Sequence, residues 1–490
     1  MASIDEIRQA RLGKLNLLIS KGLNPFPTTT HQDFVNKEAI ERFDKLSQSK
    51  ESIYLAGRIL SIRAQGKIIF FHFDDGTGKF QALLKSGEEI SDENFKLFED
   101  AFDIGDFVEV KGTLFLTKKE EKTILAEKVR MLSKSLRPLP EKWHGLSDVE
   151  ERFRKRYLDL VSNSEVKDKF VVRSKVVSAI RSILDEDGYL EVETPVLQPQ
   201  YGGATAEPFT THHNALDLDL FLRISDELYL KRLLVGGFPK VYEISKDFRN
   251  EGIDMTHWPE FTMLEYYEAY SDAEKQRTFV EKMMKSLSKI VSEGGVITFE
   301  DKEIDFNKKF AVKKYADAVS EFTKLKDPLN ASHKELLEEA ERVGAKVNPA
   351  DSPVKIIDGL FKKAVRPNLW NPTFLVDYPI DYLPLTKKKE NNPKLVDAFQ
   401  FYAGGIELVK AFSELNDPLD QRARFEGQEK VLEKGEKDAQ RLDEDFLEAM
   451  EYGMPPAGGV GIGIDRLVML LTNTKNIKEI IFFPTIRPKN

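Results

Sequence analysis

At 490 residues the chain is too long for a single compact core, so two or three domains are expected. It is 41% hydrophobic and 32% charged, no apolar run nears the ~18 residues of a membrane span, and the N-terminus MASIDEIRQARLGKLNLLISKG is too charged for a signal peptide; a cytoplasmic protein with no membrane partner is expected. The absence of cysteine excludes disulfides and thiolate-held metals but leaves oxygen-held magnesium open, and the net charge of −9 (73 basic, 82 acidic residues) means that any RNA would be held by local patches.

Residues 4–20 place Ile4, Ile7, Leu12, Leu15, Leu18 and Ile19 at helical spacing with Arg8, Arg11 and Lys14 between them. This predicts a helix with a basic side, which either docks on its own domain or touches RNA phosphates. From 53 to 132 the pattern is that of strands. SIYLAGRILSIRA and GKIIFFHFDDGTGKFQALL alternate β-branched and aromatic residues, with a hairpin turn at Asp75-Gly76-Thr77-Gly78. A short helix (DENFKLFEDAF) and two further strands follow. Three strands, a helix and two strands is the order of an OB-fold, a small barrel that often binds single-stranded nucleic acid. The proline-containing stretch SLRPLPEKWHG, 135–145, reads as a linker. The expected domains are 1–140 and 141–490, with a helix-rich insertion at about 271–370.

Three blocks in the second half carry chemistry. A helix over 166–187 with a broad apolar face is stopped by Gly188 and followed by an extended segment through Pro195. In VYEISKDFRNEGIDMTHWPEFTMLEYYEAY, 241–270, a strand ends at Phe248-Arg249-Asn250-Glu251, and a second begins at Phe261. Period-2 alternation gives Phe261, Met263, Glu265 and Tyr267 one face of that second strand. An aromatic, a carboxylate and a phenol together suit a flat ring and a cationic group, and Arg249 is a planar fork for phosphate. In GVGIGIDRLVMLLTN, 459–473, a glycine-rich strand runs into a helix opened near Arg466. Between these blocks, GGIELVKAFSELNDPLDQRARF puts Lys410, Phe412 and Glu414 on one strand face with Glu407 near.

In order and content these blocks resemble the three signature motifs of the class II aminoacyl-tRNA synthetases. The stretches RPLPEKWHGLSDVEERFRKRYLDL, GGATAEPFTTHHNALDLDLFLRISDELYLKRLLVGGF, SELNDPLDQRARF and FFPTIRP further resemble the lysine-specific members of subclass IIb, of bacterial type. The resemblance spans residues 5–488. It implies an α+β protein: an N-terminal OB-fold β-barrel that reads the anticodon, plus a class II catalytic domain on an antiparallel sheet with a helical insertion. It also implies a homodimer that uses ATP, L-lysine, Mg2+ and tRNA(Lys).

Carried over residue by residue, the resemblance places the substrate's α-amino group at Gly203 and Glu227, and its ε-ammonium between Glu265, Glu414 and Tyr267, with Lys410 and Phe412 beside it. ATP would stack on Phe261, its α-phosphate on Arg249, with Glu251, His257 and Gly463 at the nucleotide, Arg466 at the γ-phosphate end and Glu407 bridging magnesium. Arg249, Glu407 and Arg466 are the residues expected at the reacting phosphates. On the barrel, Arg63, Phe70, Gln81 and Glu121 would meet the anticodon, although Phe70 also fits a core position beside Phe71 and Phe73. Three positions depart from the family pattern. Gln400 stands where a second metal-binding glutamate is usual, Lys410 where an asparagine commonly holds the substrate carboxylate, and Trp258 where motif 2 has asparagine. Competing expectations are an aspartate- or asparagine-type synthetase, a ligase that lysylates protein, and a non-catalytic RNA-binding relative. Glu265 and Glu414 argue against an acidic or amide substrate, since a pocket for it would need cations.

Overall fold

A computed structural model of the chain describes residues 3–140, 146, 148–433 and 440–489. Of the expected linker, 135–140 carries neither helix nor strand, and 141–145 lies outside the described residues. The chain forms two compact units, Met1–Ser147 and Asp148–Asn490.

The first unit opens with helix α1 (Ile4–Ser20), whose N-terminus is closed by a capping box between Ser3 and Glu6. Its basic side is used by the fold. Arg11 is buried and donates to the backbone carbonyls of Ile104, Ser135 and Arg137, while Lys14 pairs with Asp103 at 2.6 Å. Strands β1 (Ile53–Gln65), β2 (Ile68–Asp74), β3 (Lys79–Lys85), β4 (Phe107–Leu116) and β5 (Lys122–Ser133) close a barrel in the order β1-β2-β3-β5-β4, with helix α2 (Asp92–Ala101) between β3 and β4. This is the OB-fold order. In β2 the alternation is strict: Ile69, Phe71 and Phe73 fill the barrel core, and Ile68, Phe70 and His72 are half-buried on the other face.

The second unit is built on an eight-stranded sheet. Its strands are β6 (Leu190–Glu191), β7 (Lys240–Phe248), β8 (Glu260–Ala269), β9 (Ala311–Lys314), β10 (Thr373–Val376), β11 (Ala398–Ala403), β12 (Ile406–Ser413) and β13 (Ala457–Gly463). They lie in the order β9-β10-β11-β12-β13-β8-β7-β6, antiparallel except for the two edge pairs β9–β10 and β7–β6. Helices α3 (Ser164–Glu186), α4 (Glu227–Val235), α5 (Ala273–Ser288) and α6 (Ile464–Leu471) pack around it. Val176, Ile180 and Leu184 of α3, Met283 and Leu287 of α5, and Leu467 and Val468 of α6 form one core with Leu264 and Tyr266 of β8 and Val460 and Ile462 of β13. One face of the central strands is thus sealed, and the alternate residues are left for a site.

The segment 271–370 is more divided than a helical insertion. Helix α5 covers the main sheet, residues 296–305 form a hairpin, and β9 becomes an edge strand of the sheet itself. The helices Tyr315–Phe322, His333–Val343 and Pro353–Leu360 gather around Leu336, Ala340, Ile356 and Leu360 in a second core, which they share with Leu375 of β10 and Ala398 and Tyr402 of β11. A four-residue strand reading AVKK has no periodicity strong enough to announce it.

Candidate active site and nucleic-acid face

Strand β8 starts the site. Its register with β13 sets Met263 opposite Gly463, Glu265 opposite Gly461 and Tyr267 opposite Gly459. Each side chain on the open face therefore meets a strand without side chains. Gly459 is required there, because a Cβ would come within 2.1 Å of Glu414 Oε1 and 2.4 Å of the Tyr267 ring. On β12, Val409 pairs with Phe401 but Glu407 pairs with Tyr402, so Leu408 is an extra residue in a β-bulge. Glu407 and Lys410 are an odd number of positions apart and would otherwise face opposite sides. The bulge brings both to the same cavity.

That cavity has a volume of about 300 Å³. It gathers Gly203, Glu227, Arg249, Glu251, His257, Phe261, Glu265, Tyr267, Glu407, Lys410, Phe412, Gly463 and Arg466, and Trp258 also reaches it. Gln400 and Glu414 are not on its lining. Trp258 is largely packed into the main core with Lys478 Nζ 5.3 Å from its ring centroid, which accounts for an aromatic at that position.

One end is acidic and buried. Glu265 accepts from Ser225 Oγ at 2.8 Å and from Tyr267 Oη at 2.9 Å, and burial, with Glu227 and Asp247 adding repulsion, pushes its carboxyl up to about 8. Gly203 adopts φ +81°, and a Cβ would meet Ser225 Oγ at 2.9 Å, so the loop can approach this wall only as glycine. Glu414 sits behind Gly459, paired with Lys231 Nζ, and the same ammonium lies 2.6 Å from Glu227. Lys231 is fully buried; desolvation opposes its charge, but Glu227 and Glu414 outweigh it and hold it up at about 12. One ammonium balances one carboxylate, and burial pushes Glu414, in excess, up to about 8. Behind Glu265, oxygens of Asp226 and Asp247 converge with it within 4.8 Å. Burial, then repulsion from Asp247 and Glu265, pushes the Asp226 carboxyl well above its ordinary value.

The other end is cationic and more open. The Arg249 guanidinium lies 4.9 Å from the Phe261 ring centroid and donates to the Ile224 carbonyl at 3.3 Å. Arg466 donates to the Glu407 carbonyl at 3.3 Å and to His257 Nε2 at 2.7 Å. A guanidinium only donates, so His257 accepts at Nε2 and carries its proton on Nδ1, 2.8 Å from Asp254. Magnesium is tested by the oxygens available. Glu407 offers a carboxylate, with one oxygen 3.1 Å from Tyr402 Oη, and an ion held by one carboxylate plus substrate phosphates fits there. Gln400 does not fit as a ligand: its Oε1 already accepts from Tyr378 at 2.9 Å and Tyr402 at 2.6 Å.

On the barrel, Arg63 pairs in register with Phe70 and Gln81 with His72. Phe70 therefore stands on the outer face beside an exposed arginine, outside the core that holds Phe71 and Phe73. His72 joins the remaining groups: Nδ1 lies 3.1 Å from Ser61 Oγ, and Nε2 lies 2.7 Å from Glu121 and 3.3 Å from Gln81. Gln81 also accepts from Thr123 Oγ1 at 2.8 Å, which fixes its amide.

Residues 148–487 match the family described as tRNA synthetases class II (D, K and N), and 53–132 match the OB-fold nucleic acid binding domain. The chain belongs to the class II tRNA synthetases. It is 47% identical to the lysine–tRNA ligase of Roseiflexus sp. (strain RS-1), over 99% of this chain and 100% of that protein. It is 45% identical to the lysine–tRNA ligase of Carboxydothermus hydrogenoformans, over 99% of each. The lysine–tRNA ligase of Dehalococcoides mccartyi is 45% identical, over 98% of this chain and 97% of that one.

Three residues of this synthetase escaped the sequence reading. Lys231 is four residues after Glu227 on α4, a spacing that signals an ion pair but not that Glu414 would share it. Arg173 of α3 donates to Asp465 at 2.5 Å and to Thr262 at 2.9 Å, and Asp465 accepts from the Thr262 amide, so the first block braces the other two. His72 shares the alternation of Phe70, which was the available signal.

Proposed function

We propose that this chain activates L-lysine with ATP to lysyl-adenylate and transfers the lysyl group to tRNA(Lys), releasing AMP and pyrophosphate. The observation that carries the reading is one cavity with a buried carboxylate–phenol wall at one end and Arg249, His257 and Arg466 at the other. A lysine side chain gives up water only where opposite charge replaces it, and Glu265 with Tyr267 supplies that. Glu414 acts from behind the wall, held by Lys231, and Glu227 with Gly203 faces the α-amino group. Phe412 and Lys410 flank the substrate.

At the phosphate end, Phe261 offers a ring for the adenine, Arg249 a fork for the α-phosphate, and Glu251 and Gly463 approach the nucleotide. Arg466, steadied by His257, faces the terminal phosphates. Mg2+ held at Glu407 would neutralise phosphate charge. The lysine carboxylate attacks the α-phosphorus in line and pyrophosphate leaves; a ribose hydroxyl of the tRNA then attacks the acyl carbon and AMP leaves. Positioning and charge compensation do this work, and no protein nucleophile is needed. Arg63, Phe70, Gln81 and Glu121 form the face for anticodon bases. Exposed Val171, Leu190, Val196 and Leu197 around the β6 edge support a homodimer through the first motif. No helix among the described residues is long and apolar enough to cross a membrane, and we assign the reaction to the cytoplasm, where ATP and tRNA meet.

The test is ATP–pyrophosphate exchange with each of the twenty amino acids, followed by aminoacylation of tRNA transcripts. Stimulation by lysine and charging of tRNA(Lys) is expected. Stimulation by aspartate or asparagine alone would assign the chain to the sister specificities, and no exchange at all would make it a binding protein. Light scattering checks the dimer.

A further inference from the structure

Lys410 lines the cavity with its side chain open to the solvent there and has no polar partner among the described residues. It makes no hydrogen bond or ion pair with them, and its Nζ lies 5.5 Å from the centroid of the Phe412 ring. The neighbouring cations are engaged: Arg249 with the Ile224 carbonyl and Arg466 with the Glu407 carbonyl and His257. Burial lowers the Lys410 pKa, Glu407, Glu227 and Glu265 draw it back up, and Arg249 opposes them. Lys410 therefore stands in the field of both ends of the cavity, between the acidic wall and the phosphate fork. A cation that lines a cavity without a direct ion-pair partner is free to pair with an anion that enters.

The strand opposite completes the arrangement. Gln400 is the direct cross-strand partner of Lys410, on the same face of the sheet. It is neutral, and both lone pairs of its amide oxygen are taken by Tyr378 and Tyr402. The phosphate end thus has Glu407 as an anchor for one ion. The convergent carboxylates Asp226, Asp247 and Glu265 belong to the other end. A second divalent ion would find no free protein oxygen at Gln400 and would face the Lys410 ammonium.

We propose that Lys410 is a built-in cation for the reacting anions, pairing with the substrate carboxylate and then with the adenylate phosphate, and that with Gln400 it replaces a second divalent ion. The proposal rests on the lysine-activating function above. It predicts a metal count independent of turnover. Mn2+ bound to the full-length protein, saturated with lysine and a non-hydrolysable ATP analogue, is counted by electron paramagnetic resonance. The double variant Q400E/K410N, which restores a carboxylate and removes the ammonium, is expected to bind one more Mn2+ per site than the parent. Equal counts, with the thermal midpoint of the variant unchanged, overturn the proposal.

A second measurement needs no metal. The parent should bind lysine about ten- to a hundredfold more tightly than cadaverine, which lacks the carboxylate. K410M should erase most of that preference, read as the ratio of the two affinities in the variant against the parent. A preference that survives K410M overturns the proposal and leaves the proposed function standing. A parent that binds neither lysine nor the nucleotide analogue overturns both.

Discussion

The two ends of the catalytic cavity handle charge in opposite ways. At the acidic end, Glu265, Glu414, Glu227 and Lys231 are nearly removed from water; Lys231 holds Glu227 and Glu414, and Ser225 and Tyr267 hold Glu265. At the cationic end, His257 and Glu251 are exposed, and Arg249 and Arg466 are held by carbonyls, a ring and a histidine. The difference follows from cost. A buried charge is tolerable only in a complete network, which also fixes its position, whereas an accessible guanidinium is already solvated and can exchange water for phosphate. The acidic end is built to select, and the cationic end to receive a large anion.

The comparison breaks most readily at Lys231. Lys231→Met leaves two buried carboxylates without their ammonium, and a loss of about 3–5 kcal/mol in unfolding free energy is expected by denaturant titration; an unchanged midpoint would mean that the acidic end is not held as a network. At the other end, Arg249→Ala should leave stability nearly unchanged and slow lysyl-adenylate formation about 10²–10³-fold, the scale of losing one preorganised donor at a reacting oxyanion. Single-turnover kinetics separates that from a binding defect. A similar loss of stability in both variants would erase the contrast between the two ends.

The barrel offers a third case, an accessible face with one stacking ring. Phe70→Ala should weaken tRNA binding by about 1–3 kcal/mol and leave ATP–pyrophosphate exchange untouched. The same substitution at Phe71, which is in the barrel core, should instead lower the thermal midpoint.

The smallest effect is that of pH. With its folded pKa raised to about 8, Glu265 is mostly protonated at pH 7, yet the substrate ammonium binds the carboxylate. Deprotonation of Glu265 should therefore raise lysine affinity by up to about tenfold between pH 7 and 9, offset as the substrate's α-ammonium and then its ε-ammonium, near 10.4, lose their protons. Stability runs the other way: Glu265 and Glu414 keep protons in the folded state that the unfolded chain gives up above about 4.5, so the ligand-free protein loses stability as pH rises towards 8. Calorimetric titrations at several pH values check the first, and melting with and without lysine the second.

Much of this was legible in the chain. Period-2 alternation put Phe261, Met263, Glu265 and Tyr267 on one face and Phe70 opposite Phe71, because a strand's geometry is local and its side-chain period is fixed. The strand–helix–strand order of the barrel and the glycine-rich strand leading to Arg466 were equally local. Residue types and their spacing pointed to a site for a cation and a phosphate, and the resemblance of the motifs to a known family supplied the class II synthetase architecture.

The tertiary structure decided what depends on partners distant in sequence. A bulge at Leu408 brings Glu407 and Lys410 to the same cavity, which alternation alone would forbid. Lys231 draws Glu414 behind the wall, two phenols take the Gln400 oxygen, and Arg11 and Lys14 of α1 are spent on the fold. In each case the outcome turned on which polar groups could be satisfied together out of water, a question that no stretch of sequence answers by itself.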